Sequence, residues 1–198
     1  MNRIETEDSR RFEGLRERFT MIKKPAPSDE QDEQPGPLEI VISGEFGESC
    51  TEIYEKLLEV PPGGECTLYF DSPGGSSYAA IGLVSLIRLR KIEATGIVIG
   101  ECSSAAIWPF AACKKRIVTP WSVMLFHPMR WQSDENIPVT EAAEWVRHYH
   151  HLNSEMDSML ASLFRTQSEI IAQWTHPGRF VTGAELAATG LAELIELF

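Results

Sequence analysis

The sequence lacks the features that place a protein in a membrane or on nucleic acid. It has no run of about 18 apolar residues, the usual minimum for a membrane-spanning helix, so no membrane span is expected. Lys and Arg together number 18 against 29 Asp and Glu, which gives a formal net charge of −11. Because contacts with phosphate groups depend on Lys and Arg, we expect no nucleic-acid partner. The charged start, MNRIETEDSRRFEG, also lacks the apolar core of a signal peptide.

Cysteine is scarce as well. The four cysteines, Cys50, Cys66, Cys102 and Cys113, show no CxxC spacing. A chain of 198 residues can bury a core large enough to fold without a disulfide scaffold. We therefore expect reduced thiols, a cytoplasmic location and no metal site.

Residues 1–36 differ in composition from the rest of the chain. They are rich in charge, and their second half mixes Pro, Gln, Asp and Glu. Such a segment buries too little apolar surface to offset the entropy lost on ordering, so we predict a charged, disordered N-terminal tail. Residues 37–198 are predicted to form one domain.

Strand and helix patterns alternate along residues 37–198. β-branched and apolar runs predict strands, and apolar residues at three- to four-residue spacing predict helices. This alternation is typical of an α/β fold with a parallel sheet. Strands are predicted at 38–43, 66–70, 94–99, 116–119, 123–126 and 191–197. Helices are predicted at 48–59, 76–87, 138–165, 167–174 and 182–189, and one more helix contains the serine stretch and ends at Cys113.

The predicted helix from Pro138 to Arg165 is unusually long. Its apolar positions include large aromatic residues and methionines, such as Trp145, Tyr149 and Met156. A helix of this length extends beyond a compact domain, so its apolar side chains need a partner surface. Self-association is the simplest way to cover them.

Three stretches could supply acyl-transfer chemistry, which needs a nucleophile, a base and amides that face the developing oxyanion. In GECSSAAIWPFAA, Ser104 follows a buried strand and opens a helix among small side chains. His127 ends an apolar strand, and imidazole suits the base role near neutral pH. Gly74 and Gly75 follow a strand end, where backbone N–H groups can be exposed. Each stretch also has a simpler interpretation: close helix packing, a histidine tied to its loop, and an ordinary turn.

Together these stretches resemble one family. DSPGG, GECSSAA and SVMLFHP are similar, in this order, to the glycine turn, the nucleophile stretch and the histidine stretch of the Clp protease proteolytic subunit, ClpP. The ending GRFVTGAELAATGLAELI resembles the ending of the same family. The likeness covers residues 37–198. It implies the ClpP/crotonase fold, an α/β superhelix of ββα units from which the 138–165 helix projects as a handle.

The resemblance implies a serine endopeptidase. Carried over by position, Ser104 would attack the peptide carbonyl, His127 would take its proton, and the amides of Gly75 and Ala105 would form the oxyanion hole. No cofactor or metal is implied. Members of the family stack heptameric rings through their handle helices, and an unfoldase ATPase supplies them with substrate. We therefore expect a homo-oligomer of stacked rings that acts on peptides or unfolded proteins.

One departure from the family concerns the third catalytic residue. The family has an Asp directly before an Arg-Phe pair, and this chain has Gly178. Loss of a carboxylate that holds the histidine tautomer can lower the rate by about four orders of magnitude. Ser104 and His127 would then work as a dyad, or another group, His176 or Asp134, would orient the ring. Gly178→Asp is expected to raise hydrolysis if the dyad merely lacks support.

Two further departures concern the substrate. The glycine-rich strand that pairs with substrate backbone in the family is replaced by MRWQSDENIPVT, and Ala105-Ala106 replace Met-Gly. Three hypotheses stay open. The first is a ClpP-like peptidase. The second is a subunit with weakened catalysis that binds and assembles with an active ClpP-like partner in a mixed oligomer. The third is acyl-CoA chemistry on the related crotonase fold.

Overall fold

Strands and helices alternate much as the sequence predicts. The computed structural model describes residues 36–48, 50–132 and 136–198, so residues 1–35 of the predicted tail and Asp134 lie outside the described residues. In chain order the elements are β1 (Leu38–Phe46), α1 (Cys50–Glu59), β2 (Glu65–Gly75), α2 (Ser77–Leu89), β3 (Glu93–Cys102), a 3-10 turn (Ser104–Ala106), α3 (Ile107–Ala112), β4 (Lys115–Val118), β5 (Val123–Phe126), α4 (Val139–Phe164), α5 (Ser168–Thr175), β6 (Arg179–Thr182), α6 (Gly183–Ala188) and β7 (Glu193–Leu194). The boundary that we predict between a tail and a domain stays a prediction.

The core forms between the main sheet and the helices that cover it. Alternate side chains of the first three strands are fully buried: Ile40, Ile42, Leu68, Phe70, Ala94 and Val98. In the first two helices, apolar residues at helical spacing join the same core: Ile53, Leu57, Leu83 and Ile87. Ser76 starts α2, because its side chain accepts a hydrogen bond from the Ala79 N–H.

The main sheet is parallel in the order β1-β2-β3-β4-β7. The α/β class is therefore confirmed. β5 and β6 depart from the parallel arrangement, since they pair with each other in antiparallel register. β5 also touches the end of β3, where Glu101 pairs with Val123. The short antiparallel pair thus lies beside the segment that leads from β3 to Ser104.

The final predicted strand, 191–197, is shorter than expected. β7 covers only Glu193–Leu194, which pair with Ile117 and Val118 of β4. One more backbone hydrogen bond, from Ile195 N–H to the Val118 carbonyl, follows the strand.

α4 has 26 residues and two different halves. Its buried side chains all lie near the C-terminal end: Met156, Leu160, Ala161, Leu163 and Phe164. Val139 and Val146, near the other end, are 86% and 56% exposed. At 1.5 Å per residue the helix is about 39 Å long. No described helix combines the length and the apolar character that crossing a membrane would require.

Candidate active site

Ser104 lies where β3 passes into α3. β3 ends at Cys102, Ser103 has an extended backbone, and Ser104 opens the 3-10 turn with a φ of 54°. A non-glycine residue in this left-handed region costs about 1–3 kcal/mol and persists only where its surroundings impose it. Such strain clusters at functional sites, so the backbone sets Ser104 apart from its neighbours.

The glycine turn of β2 packs directly against Ser104. A Cβ on Gly74 would lie 2.7 Å from Ser104 Cβ and 2.8 Å from the Ala105 nitrogen, so only glycine fits there. Gly74 and Gly75 have φ values of 97° and 125°, which L side chains rarely adopt. The sequence predicts that the strand ends before these glycines. β2 instead continues through them, because their backbone freedom lets the chain stay paired with β1 after a register shift.

Ser72, which is fully buried, holds this turn in place. Its hydroxyl donates to the Gly44 carbonyl at 2.6 Å and accepts from the Gly74 N–H at 3.2 Å. Its own carbonyl accepts from the Ser103 N–H at 2.9 Å. The glycine turn and the segment that carries Ser104 are therefore joined through one serine.

His127 directly follows β5 and reaches Ser104. Its Nε2 lies 2.9 Å from Ser104 Oγ, and its Nδ1 lies 2.6 Å from the carbonyl oxygen of Pro128. A carbonyl oxygen can only accept a hydrogen bond, so this contact places the ring proton on Nδ1. Nε2 is then left with a lone pair that can accept the hydroxyl proton of Ser104.

Gly178, at the position of the family's carboxylate, packs on the same histidine. A Cβ on Gly178 would lie 3.2 Å from His127 Cβ and 3.2 Å from the Phe126 carbonyl oxygen. The φ of Gly178 is 113°, again in the region that favours glycine. Position 178 therefore extends no side chain towards His127, and a main-chain carbonyl, that of Pro128, contacts Nδ1.

The two weaker candidates for a third member differ in their placement. His176 donates through Nε2 to Asp157 Oδ2 at 2.9 Å, so the hydrogen bond seen for its ring goes to α4 and not to His127. Asp134 lies outside the described residues. The contact of His127 with Pro128 was not predicted, because a main-chain oxygen leaves no signal in the sequence.

Ser103 is a further residue whose role the sequence did not reveal. It is 1% exposed, and its Oγ accepts a hydrogen bond from the Leu125 N–H at 2.9 Å. Leu125 lies two residues before His127. The hydroxyl therefore joins the segment of Ser104 to the strand that leads to His127. A second serine beside Ser104 is the only trace of this in the sequence.

Ser104 and His127 face a cavity of about 350 Å³. Gly75 and Ala105, the predicted oxyanion residues, line it as well. The remaining lining is mixed, with an apolar part, Ile107, Trp108, Leu125, Phe126, Met129, Met156 and Leu160, and a polar part that includes Ser76, Ser77, Arg130, Gln132 and Thr175. The cavity can thus hold a group with both apolar and polar parts next to Ser104 and His127.

The nearby thiol is not a competing nucleophile. Burial raises the pKa of Cys102 well above its usual range, with smaller contributions from Cys113 and Glu101. Since the thiolate is the reactive form, Cys102 is unreactive at neutral pH. Among the described residues no three His, Cys, Asp or Glu side chains gather to hold a metal ion.

Comparison with known proteins identifies the family. The model of the Clp protease family matches residues 39–196. The chain belongs to the Clp protease family. It is also 31% identical over 136 residues to the ATP-dependent Clp protease proteolytic subunit 3 of Synechococcus sp. (strain CC9902). That alignment covers 65% of this chain and spans 64% of the length of the relative.

Family membership and the α/β architecture together support a ClpP-like fold. Within a Clp protease family chain, the contact between Ser104 and His127 has the geometry that general-base activation of a serine needs. The site differs from a complete triad in one respect, since a neutral carbonyl contacts Nδ1.

Proposed function

We propose that this chain is a serine endopeptidase that hydrolyses peptide bonds through an acyl-enzyme at Ser104, with His127 as the base. The 2.9 Å distance between Ser104 Oγ and His127 Nε2 is the observation that carries the proposal. The cavity beside this pair is large enough to receive a substrate side chain.

The proposed reaction follows from the direction of these hydrogen bonds. His127 Nε2 takes the hydroxyl proton as Ser104 Oγ attacks the peptide carbonyl. The amides of Gly75 and Ala105 donate to the oxyanion that forms. The imidazolium then gives its proton to the leaving amine, and the acyl-enzyme ester remains on Ser104. In the second half, His127 takes a proton from water as the water attacks this ester, and then returns the proton to Ser104 Oγ as the acid product leaves.

Pro128 takes over one part of the missing carboxylate's role. Its carbonyl keeps the Nδ1 proton in place, so that the lone pair of Nε2 stays directed at Ser104. A neutral carbonyl stabilises the imidazolium less than a carboxylate does, because it lacks a full negative charge. We therefore expect a working dyad that is slower than a complete triad.

Labelling of the intact protein with a fluorophosphonate or β-lactone probe tests the proposal. We expect a mass increase of one probe molecule, none in Ser104→Ala, and labelling slower by about 100-fold or more in His127→Ala. Ser158→Ala, at an exposed serine of α4, is the control and should label like the wild type. Wild-type protein that never labels, alone or with a ClpP-like partner subunit, would overturn the peptidase.

The second function, a binding and assembly role with weakened catalysis, is favoured by Gly178. At its φ of 113° an L side chain is strained, and an added Cβ would lie only 3.2 Å from His127 Cβ, so a carboxylate is disfavoured at this position. This hypothesis predicts co-purification with an active ClpP-like subunit and little labelling of Ser104. The acyl-CoA hypothesis predicts binding of CoA esters without labelling, and no contact in the site favours it.

We extend the proposal to the assembly. The relative is named as a subunit of an ATP-dependent protease. We propose that this chain likewise forms stacked rings through α4 and receives peptides or unfolded proteins from an unfoldase ATPase. The exposed apolar residues Val139 and Val146 support a contact between copies at α4. A cytoplasmic location stays a prediction.

A further inference from the structure

Two loop segments close to His127, one around Met129 and one around His176, are hydrogen-bonded to α4. After the histidine, the Met129 N–H donates to Asn153 Oδ1 at 3.0 Å. On the other side, His176 Nε2 donates to Asp157 Oδ2 at 2.9 Å. These two hydrogen bonds are called the α4 clasp below.

The α4 clasp acts from one face of one helix. Asn153 and Asp157 are four residues apart, so their side chains lie on the same side of α4. Met156 and Leu160, buried on this part of the helix, line the cavity in front of Ser104. The part of α4 that carries the clasp is therefore held by the core and can serve as a fixed reference for the loops.

Both fastened segments contact His127 itself. Met129 follows Pro128, whose carbonyl oxygen lies 2.6 Å from His127 Nδ1. His176 lies two residues before Gly178, where an added Cβ would come within 3.2 Å of His127 Cβ and 3.3 Å of its Cα, so this segment runs close to the histidine. A shift of either segment would therefore move the acceptor of Nδ1 or the surface on which the histidine rests.

Asp157 also has a feature that core packing does not explain. Its Oδ1 is buried, and within the described part of the chain no hydrogen-bond partner reaches it. An unsatisfied buried oxygen is costly, and such groups call for a specific reason. Holding His176 through the other oxygen, Oδ2, supplies one.

We propose that Asn153 and Asp157 are positioning residues for the reaction at Ser104. They hold the segments 128–129 and 176–178 in place. The Pro128 carbonyl then stays within hydrogen-bonding distance of His127 Nδ1, and His127 Nε2 stays within hydrogen-bonding distance of Ser104 Oγ. The inference rests on the proposed peptidase function. A triad aligns its histidine with a carboxylate placed against the ring, and here the alignment comes from a helix through the loop backbone.

Two pairs of variants test the inference. Asn153→Ala and Asp157→Ala delete one clasp acceptor each. Asn153→Asp and Asp157→Asn keep an oxygen that can accept from the Met129 N–H or from His176. Glu155→Ala, at an exposed residue between the two positions, is the matched control. Each variant is compared for thermal midpoint, for kcat and KM on a fluorogenic peptide, and for the rate of probe labelling at Ser104.

A second readout follows His127 directly. The ring ¹⁵N signals of the wild type show which nitrogen carries the proton, and they are assigned by their loss in His127→Ala. We expect a persistent Nδ1 proton in the wild type and exchange between the tautomers in the deletion variants. This readout needs no turnover.

For the deletion variants, measured well below their melting temperatures, we expect kcat and the labelling rate to fall by about 10- to 100-fold. KM should change little, and the two acceptor-keeping variants and the control should stay near wild-type rates. Deletion variants that are folded and label at the wild-type rate, with unchanged ¹⁵N signals, would overturn the inference while the peptidase stands. A wild type that never labels would overturn the peptidase, and the ¹⁵N signals would still decide whether the clasp holds the ring.

Discussion

At the scale of single residues, the site depends on Gly178, which has no side chain. At Gly178, the position where the family has an Asp, an added Cβ would lie only 3.2 Å from His127 Cβ. The sequence predicts that Gly178→Asp raises hydrolysis if the dyad merely lacks support. The φ of 113° revises that expectation, because an L side chain would be strained there before it could reach the ring.

We therefore expect Gly178→Asp and Gly178→Ala to lower the free energy of unfolding by about 1–3 kcal/mol and to reduce labelling of Ser104. Gly190→Ala is the matched control, since Gly190 also has a positive φ, 77°, but open space around it. It should lose stability and keep its labelling rate. Thermal unfolding and probe labelling measure the two effects, and faster labelling of Gly178→Asp would contradict the prediction.

Ser103 shows the opposite case, in which a small side chain holds two segments together. Ser103→Ala removes the acceptor of the Leu125 N–H from a partly buried hydrogen bond. A typical intramolecular hydrogen bond contributes about 0.5–1.5 kcal/mol, so we expect denaturant unfolding to show a loss of this size. We also expect slower labelling of Ser104, because β5 carries His127. Ser158→Ala serves as the control, and an unchanged labelling rate in Ser103→Ala would show that the bond does not position the pair.

At the scale of secondary-structure elements, the short segments around His127 are tied by local side chains. β6 pairs with β5 along its whole length, and α6 follows β6 immediately. Thr182 and Glu185 form a capping box at the start of α6. Glu185 also forms an ion pair with Arg179 of β6. This end of the site is thus stabilised by contacts within a few residues of sequence.

These contacts make the stability of the protein depend on pH. Hydrogen bonds from the Thr182 N–H and hydroxyl, helped by Arg179, lower the pKa of the Glu185 carboxyl. A carboxylate with a lowered folded-state pKa stabilises the fold above its unfolded-state pKa, about 4.3, and loses this contribution as the pH falls through the lowered value. We expect Glu185→Gln to be less stable than the wild type at pH 6, and the difference to shrink towards pH 3.

Chemical denaturation across this pH range checks the prediction. Glu155→Gln, at an exposed glutamate of α4, is the control and should show a smaller and flatter difference. A stability gap between wild type and Glu185→Gln that stays constant from pH 6 to pH 3 would contradict the argument.

At the scale of the whole molecule, α4 links the segments around His127 to an exposed surface with apolar residues. Its C-terminal half packs into the core and carries the α4 clasp. Its N-terminal half presents Val139 and Val146, seven residues apart and so on one face. Contacts between copies of the chain through this face would stabilise α4, the helix that is hydrogen-bonded to the loops around His127.

We expect the double variant Val139→Glu/Val146→Glu to shift the protein to smaller species, because paired carboxylates cannot be buried between copies without a large desolvation cost. Sedimentation velocity measures the shift. Leu89→Glu, at an apolar residue of α2 that is 82% exposed, is the control and should sediment like the wild type. Identical distributions for the double variant and the wild type would show that these valines are not part of an interface between copies.

Much of the fold was predictable because it depends on local patterns. The apolar periodicities of β1 to β5, α1, α2, α4 and α5 are properties of short windows of sequence, and the order of elements follows from them. The antiparallel pairing of β5 with β6 and the short β7 were not predictable, because they depend on which distant strand offers free edges. The continuation of β2 through Gly75 depends likewise on its pairing with β1.

The sequence by itself determined the family, the order of the elements and the two residues, Ser104 and His127, that could form a reactive pair. These follow from residue types at characteristic spacings. Only the tertiary structure decided what lies against the outer nitrogen of His127, since the Pro128 carbonyl is a backbone group that every sequence has. It also decided the roles of Ser103, Asn153 and Asp157, because each bonds a partner 19 to 24 residues away, and such contacts exist only once the strands and α4 have packed.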